Sequence, residues 1–269
     1  MAAGKTAAKA APKKTAAKTA DGAKSAGHPI RVGVGGWSYE PWEETFYPPK
    51  LSAKKQLNYM ASKLTGVEVN GTFYRTQNAA TFSKWAGETP DGFVFALKAH
   101  RMTTSRKTPA EMEESINWFL NSGVLALGDK LGPINWQFHP SKKFDADYFG
   151  AFLKLLPLEK DGVRVRHAIE VRHASFNTPA FHDLLRAHGA AMISADDDDW
   201  AMPDVETADF AYARLQRSRE KIGYPADELD AWAKTFKDWS KKREVFAFFI
   251  SGAKETNPGA AMALIERLK

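Results

Sequence analysis

From Ile30 onward, short β-rich apolar runs alternate with stretches of helical period, the pattern of βα units around a parallel sheet. Eight strands are expected: Ile30–Gly36, Gly66–Asn70, Phe93–Ala99, Pro133–Phe138, Val165–Arg172, Ala190–Asp196, Asp209–Gln216 and Glu244–Ser251. Between them lie apolar stripes at helical spacing. They include Leu57, Met60, Ala61 and Leu64, then Met112, Ile116, Phe119 and Leu120, then Phe149, Phe152, Leu153 and Leu156. Phe181, Leu184 and Leu185 follow, and further stripes begin at Leu229 and Ala261. Count and order predict a TIM-like (β/α)8 barrel, with a seven-stranded or partly open variant as the alternative. The connection from Asp197 to Ala208 is too short for a full helix, so one helix is expected to be missing between the sixth and seventh strands.

No large apolar residue stands between Met1 and Ile30. A stretch of that kind cannot bury enough surface to offset its ordering entropy, so residues 1–28 are expected to be a disordered Lys/Ala-rich tail before a barrel domain at 29–269. The tail also changes the picture of charge. It carries six lysines against Asp21, and so five of the six net positive charges. Nonspecific nucleic-acid contact is accordingly expected of the tail alone, and the rest of the chain is nearly neutral.

In such a barrel the chemistry gathers at the C-terminal ends of the strands, and side chains alternate between the interior and the helix layer. Glu68 and Asn70 share one parity at the end of the second strand. Lys98, Gln137, Glu170 with Arg172, Asp196 and Arg214 end the next five strands, each on the parity read as inward. Buried groups of this kind must pair with one another or with a ligand. A structural ion pair, Glu170–Arg214 or Asp196–Arg172, accounts for one or two of them; a ring contributed by six consecutive strands points to a ligand site. Glu170, Glu68 and Asp196 are the candidate catalytic groups, with Glu170 as general acid or base. Lys98, Arg172 and Arg214 are suited to anchoring an anion. The mixture fits a small polar carbohydrate- or nucleotide-like molecule, and Trp37 and Tyr74 in the first two βα loops could stack on its ring.

Other signals exclude more than they suggest. Cysteine is absent, so there is no disulfide framework, thiolate nucleophile or thiolate metal site. The Gly33–Gly36 run lacks dinucleotide-fingerprint spacing, and no P-loop is present. The histidines lack metal-ligand spacing, so neither metal nor cofactor is expected. No apolar run approaches the roughly 20 residues of a membrane span, and no secretory h-region opens the chain. A cytoplasmic location is the resulting expectation.

Longer motifs carry a resemblance. Gly36-Trp37-Ser38-Tyr39, Phe46-Tyr47-Pro48, the run Val67 to Tyr74, Thr89 to Ala99, Glu170 to Phe176 and Ala208 to Leu215 are similar to signatures of the YecE-like bacterial family, domain of unknown function 72. The resemblance covers nearly all of Ile30 to Lys269. It implies a TIM-like barrel without an established activity, and it marks Glu68, Asn70, Lys98, Gln137, Glu170, Arg172, His173 and Arg214 as recurrent polar positions. The chain departs from the family pattern at Gln216-Arg217, at Ile250-Ser251 and at His139-Pro140. The functional expectation is an enzyme acting on a small polar or anionic ligand. A noncatalytic binding protein and a nucleic-acid-associated protein localised by its tail are the alternatives.

Overall fold

The computed structural model describes residues 27–219 and 223–269, so the expectation for the tail lies, up to residue 26, outside the described residues. Eight parallel strands close into a barrel. They are β1 (Ile30–Gly35), β2 (Gly66–Val69), β3 (Val94–Lys98), β4 (Leu131–Gln137), β5 (His167–Glu170), β6 (Ala191–Asp196), β7 (Phe210–Leu215) and β8 (Glu244–Phe249). Each pairs with the next and β8 pairs with β1. Around them run α1 (Ala53–Ala61), α2 (Ala79–Gly87), α3 (Pro109–Leu120), α4 (Ala146–Lys154), α5 (Pro179–Ala187), α6 (Ala226–Ser240) and α7 (Asn257–Leu268). No helix joins β6 to β7, as the length of that connection predicted. Among the described residues, no helix is long and apolar enough to cross a membrane.

Local sequence starts the helices that flank the mouth. Thr108 caps α3 in a reciprocal box with Glu111, and Pro109 follows at the first helical position, where its missing N–H costs nothing. Asp145 accepts from the Tyr148 amide to start α4. Helix α2 is the one that periodicity does not announce. Phe82 is its one fully buried residue, so its apolar stripe is too thin to read, and the Asn78 side chain accepting from the Thr81 amide fixes its start. A hairpin, Glu159–Lys160 with Val163–Arg164, precedes β5, which is shorter at both ends than the expected Val165–Arg172.

Two apolar layers separate cleanly. The outer faces of the strands pack against the helices in one large cluster. The barrel interior holds a second, with Phe210, Tyr212, Phe246 and Phe248 from β7 and β8 set against Ala96, Ala168 and Ala191. Small residues elsewhere make room for these four rings. At β1 the need is absolute, because a Cβ on Gly33 would lie 1.9 Å from the Gly66 carbonyl oxygen. Gly33 is thus there for close strand approach, while Gly36 takes a positive φ of 73° at the turn that leaves the strand. Above this aromatic floor the interior turns polar.

Candidate functional site

Arg214, near the end of β7, is the hub of the polar layer. Its Nε and Nη2 donate to Glu68 Oε2 and Oε1 at 3.1 and 3.0 Å. Its Nη1 donates to both Glu170 oxygens at 2.9 Å. Glu68 also accepts from the Tyr212 hydroxyl at 2.6 Å. Glu170 accepts from Gln137 at 2.6 Å, from Asn135 at 3.0 Å, and from Arg172 at 3.0 and 2.7 Å. Lys98 donates to Gln137 Oε1 at 2.8 Å, and its ammonium lies 4.4 Å from the centre of the Phe73 ring. The strands place these groups by parity: Glu68, Lys98, Asn135, Gln137, Glu170 and Arg214 point inward from β2, β3, β4, β5 and β7.

The charges do not balance. Three cations, Lys98, Arg172 and Arg214, meet two carboxylates, Glu68 and Glu170, and the arginines occupy both. Burial alone would raise the Glu170 carboxyl, but Arg214, Arg172 and Lys98 outweigh it and hold it down at about 2. Burial pushes the Lys98 ammonium below its usual range, with Arg214 and Arg172 acting in the same direction and Glu68 and Glu170 opposing. Burial likewise keeps the Tyr212 hydroxyl protonated. Glu170 is therefore a fully hydrogen-bonded anion, while Lys98 has a neutral amide as its hydrogen-bond partner and, among the described residues, no carboxylate in salt-bridge reach.

A cavity of about 350 Å³ opens directly above this cluster. Lys98 and Arg214 form its floor, Asn70 and Tyr74 one wall, and Lys254 and Asn257 from the segment after β8 the other. Gly35 keeps the β1 side open, since a Cβ there would lie 2.7 Å from the Asn70 amide nitrogen. A second cavity, of about 430 Å³, lies beyond Gln137 and Arg172 and is lined by Phe73, Met102, Phe138 and Pro140. Arg172, on its lining, stacks 3.8 Å from the ring centre of Trp200 in the β6–β7 connection.

Of the residues singled out from sequence, Glu68, Lys98, Gln137, Glu170, Arg172 and Arg214 converge in this cluster, and Asn70 and Tyr74 line the cavity above it. Asp196 does not join them. Its register partner is Leu215 on the outer face, while Ala195 is the residue level with Arg214. Its carboxylate accepts from Tyr224 at 2.9 Å, Trp232 at 3.3 Å and Arg217 at 3.4 Å, so the pairing considered with Arg172 is replaced by one with Arg217. Trp37 packs edge-on against Trp85 of α2, 4.8 Å between centroids, within the helix layer. The His173 ring accepts from the Ser175 amide at 3.1 Å and caps a short turn. Lys254 and Asn257 escaped the sequence reading because they follow the last strand by several residues, where parity no longer applies. Among the described residues, no three histidine, aspartate or glutamate side chains converge on a position for a metal ion.

Comparison with known proteins agrees with this architecture. The UPF0759 protein YunF of Bacillus subtilis (strain 168) is 28% identical over 168 residues, which are 57% of this chain and 54% of YunF. The matched part thus spans about half the length of that curated relative. A DUF72 family protein from Thermotoga maritima superposes with a TM-score of 0.73 at 24% identity, covering 90% of this chain and 99% of the other. Another, from Enterococcus faecalis, gives 0.72 at 20% identity over 89% and 95%. These two likenesses concern the fold. The family described as "Protein of unknown function DUF72" matches residues 31–269, and this chain belongs to it.

Proposed function

We propose that the barrel is an enzyme that takes a small polar anion, such as a sugar phosphate or a nucleotide-like molecule, into the cavity above Arg214. The observation that carries this reading is Lys98, a buried ammonium on the cavity floor whose two nearest carboxylates are already engaged by arginines. A buried cation is stabilised by an anion that comes to it, and Lys254 on the facing wall adds a second positive charge. Asn70 and Asn257 supply neutral donors and acceptors suited to hydroxyl or phosphoryl oxygens.

Catalysis on that anion would fall to Lys98 rather than to Glu170. A carboxylate held at about 2 by three cations is a poor proton carrier near neutral pH. An ammonium whose proton is loosened by burial is a competent general acid towards an anion it also holds. Glu170 and Glu68 then act as positioning residues that fix the Arg214 fork. Titration calorimetry with phosphate monoesters, small carboxylates and neutral sugars tests the reading. Anions should bind, neutral sugars should not, and Lys98→Met should weaken anion binding by at least about tenfold, the ~1.5–3 kcal/mol of a charge-assisted contact. Equal binding of neutral sugars, or unchanged anion binding by the variant, would refute it. Turnover of the bound anion by wild type and not by Lys98→Met separates an enzyme from a binding protein.

A further inference from the structure

The loops after β3 and β4 form a groove of about 590 Å³ outside the Lys98 cavity. Arg106 and Lys107 stand on one bank, Lys142 and Lys143 on the other. The groove runs into the apolar cavity of Phe73, Met102, Phe138 and Pro140, sharing Thr104, Ser105 and His139 with it, and Arg101 guards the junction. Among the described residues, none of these five cations has a carboxylate oxygen within 4.0 Å. Of the three acids in these loops and in the adjoining first helical turns, Asp145 caps α4 and Glu111 closes the box at the start of α3, while Asp147 is exposed in the first turn of α4. The banks are fastened to the barrel. Tyr148 donates to the Arg106 carbonyl at 2.9 Å, Thr104 to the Gln137 carbonyl at 2.8 Å, and the Phe144 amide to Ser175 at 2.9 Å.

We propose that this groove binds single-stranded nucleic acid, its phosphates along the five cations and one unstacked base in the apolar cavity at the inner end. A row of cations without carboxylate partners, one of them (Lys142) resting on the Tyr148 ring, fits a backbone that carries a charge at every unit. The cavity adds what a bare polyanion could not use, an aromatic and apolar seat for a flat ring. A duplex keeps its bases stacked and cannot fill that seat. The five cations of the groove are different side chains from those that line the anion site at Lys98, so the proposal stands apart from that reading.

The test uses the full chain with a fluorescent oligothymidylate of about 12 nucleotides, within the span of one single-strand site. Arg101, Lys107 and Lys143 are exposed, so a variant carrying Arg101→Gln, Lys107→Gln and Lys143→Gln should keep its fold, which an unchanged melting curve verifies. It should bind at least about tenfold more weakly, with the slope of log affinity against log salt shallower by about 2, near 0.7 per lost phosphate contact. If the triple variant does not fold, Lys143→Gln alone should still show a shallower slope. An oligonucleotide with abasic units in place of its bases, and a duplex of equal length, should each bind about tenfold less tightly than the thymidylate. Wild-type affinity in the folded variants, or binding of inorganic polyphosphate, abasic strand or duplex as tight as that of the thymidylate, would overturn the proposal. Phosphate monoester binding at Lys98 should be unaffected by the groove substitutions, so failure here and failure of the anion site are distinguishable.

Discussion

The barrel carries an ion cluster at each mouth, and the two differ in one decisive respect. At the N-terminal mouth Glu244 meets Arg166 at 3.1 Å and Arg31 at 3.7 Å, with side chains 18–25% exposed. At the C-terminal mouth Glu68, Glu170 and Arg214 are 3% exposed or less and Lys98 is buried, with Arg172 alone, at 16%, partly open to solvent. Each cluster has one more cation than carboxylate. Water and salt can neutralise the surplus at the first mouth. At the second, burial leaves that task to a ligand. Equal formal charge is thus inert where solvent reaches it and a binding device where it does not.

The strongest way to break this comparison is Arg214→Met. The substitution strands the buried Glu68 and leaves Glu170 with Arg172 as its paired cation, so it should destabilise the protein by about 3–5 kcal/mol in denaturant unfolding; a loss below about 1 kcal/mol would place the cluster on a par with the exposed one. A pH titration comes next. His167, fully buried, accepts from the Trp136 indole N–H at 3.1 Å and faces the Pro157 carbonyl at 2.8 Å through its other nitrogen. Burial lowers its pKa to about 4. Between pH 6.5 and 4 the unfolded chain therefore binds a proton that the folded chain refuses. Stability should be complete above pH 6.5 and fall with pH across that window, by about 3 kcal/mol at its foot. Below pH 4.5 the depressed Glu170 carboxyl adds a loss of the same sign, since the unfolded carboxyl takes its proton first. His167→Gln should flatten the upper part of the curve in melting experiments. The smallest effect is expected of Glu244→Gln, below about 1 kcal/mol and shrinking further in salt. A larger cost would mean that the N-terminal cluster is drier than its exposure implies.

Most of the fold was legible because each strand is short, apolar and followed by a turn. Most of the cluster was legible because parity is strict inside a barrel: Glu68, Lys98, Gln137, Glu170 and Arg214 all lie where alternation puts them. Asp196 was misplaced for a related reason. The inner face of β6 is wholly apolar, with Ala191, Ile193 and Ala195, while the polar Ser194 and Asp196 lie outside, beside Met192. The outer face tolerates polarity because its polar groups find partners there: Ser194 donates to the Met202 carbonyl at 3.2 Å, and Asp196 accepts from Tyr224 and from Trp232 of α6. Trp37 went astray through the unread helix α2, which supplies its partner Trp85. The groove at Arg101, Lys107 and Lys143 was hidden by averaging, since a nearly neutral total conceals a local row of cations.

The connection that forgoes its helix also has an optical consequence. It carries Trp200 to the mouth and lays the indole against the Arg172 guanidinium, 3.8 Å from ring centre to cation. Indole emission responds to a neighbouring charge, and Arg172 is in turn tied to Glu170 and lines the second cavity. Any ligand that draws Arg172 aside changes the field on a chromophore already in place. The chain thus carries its own reporter: a substitution of Trp200 by Phe marks which part of the tryptophan spectrum comes from the mouth, and occupancy can be followed there without a label.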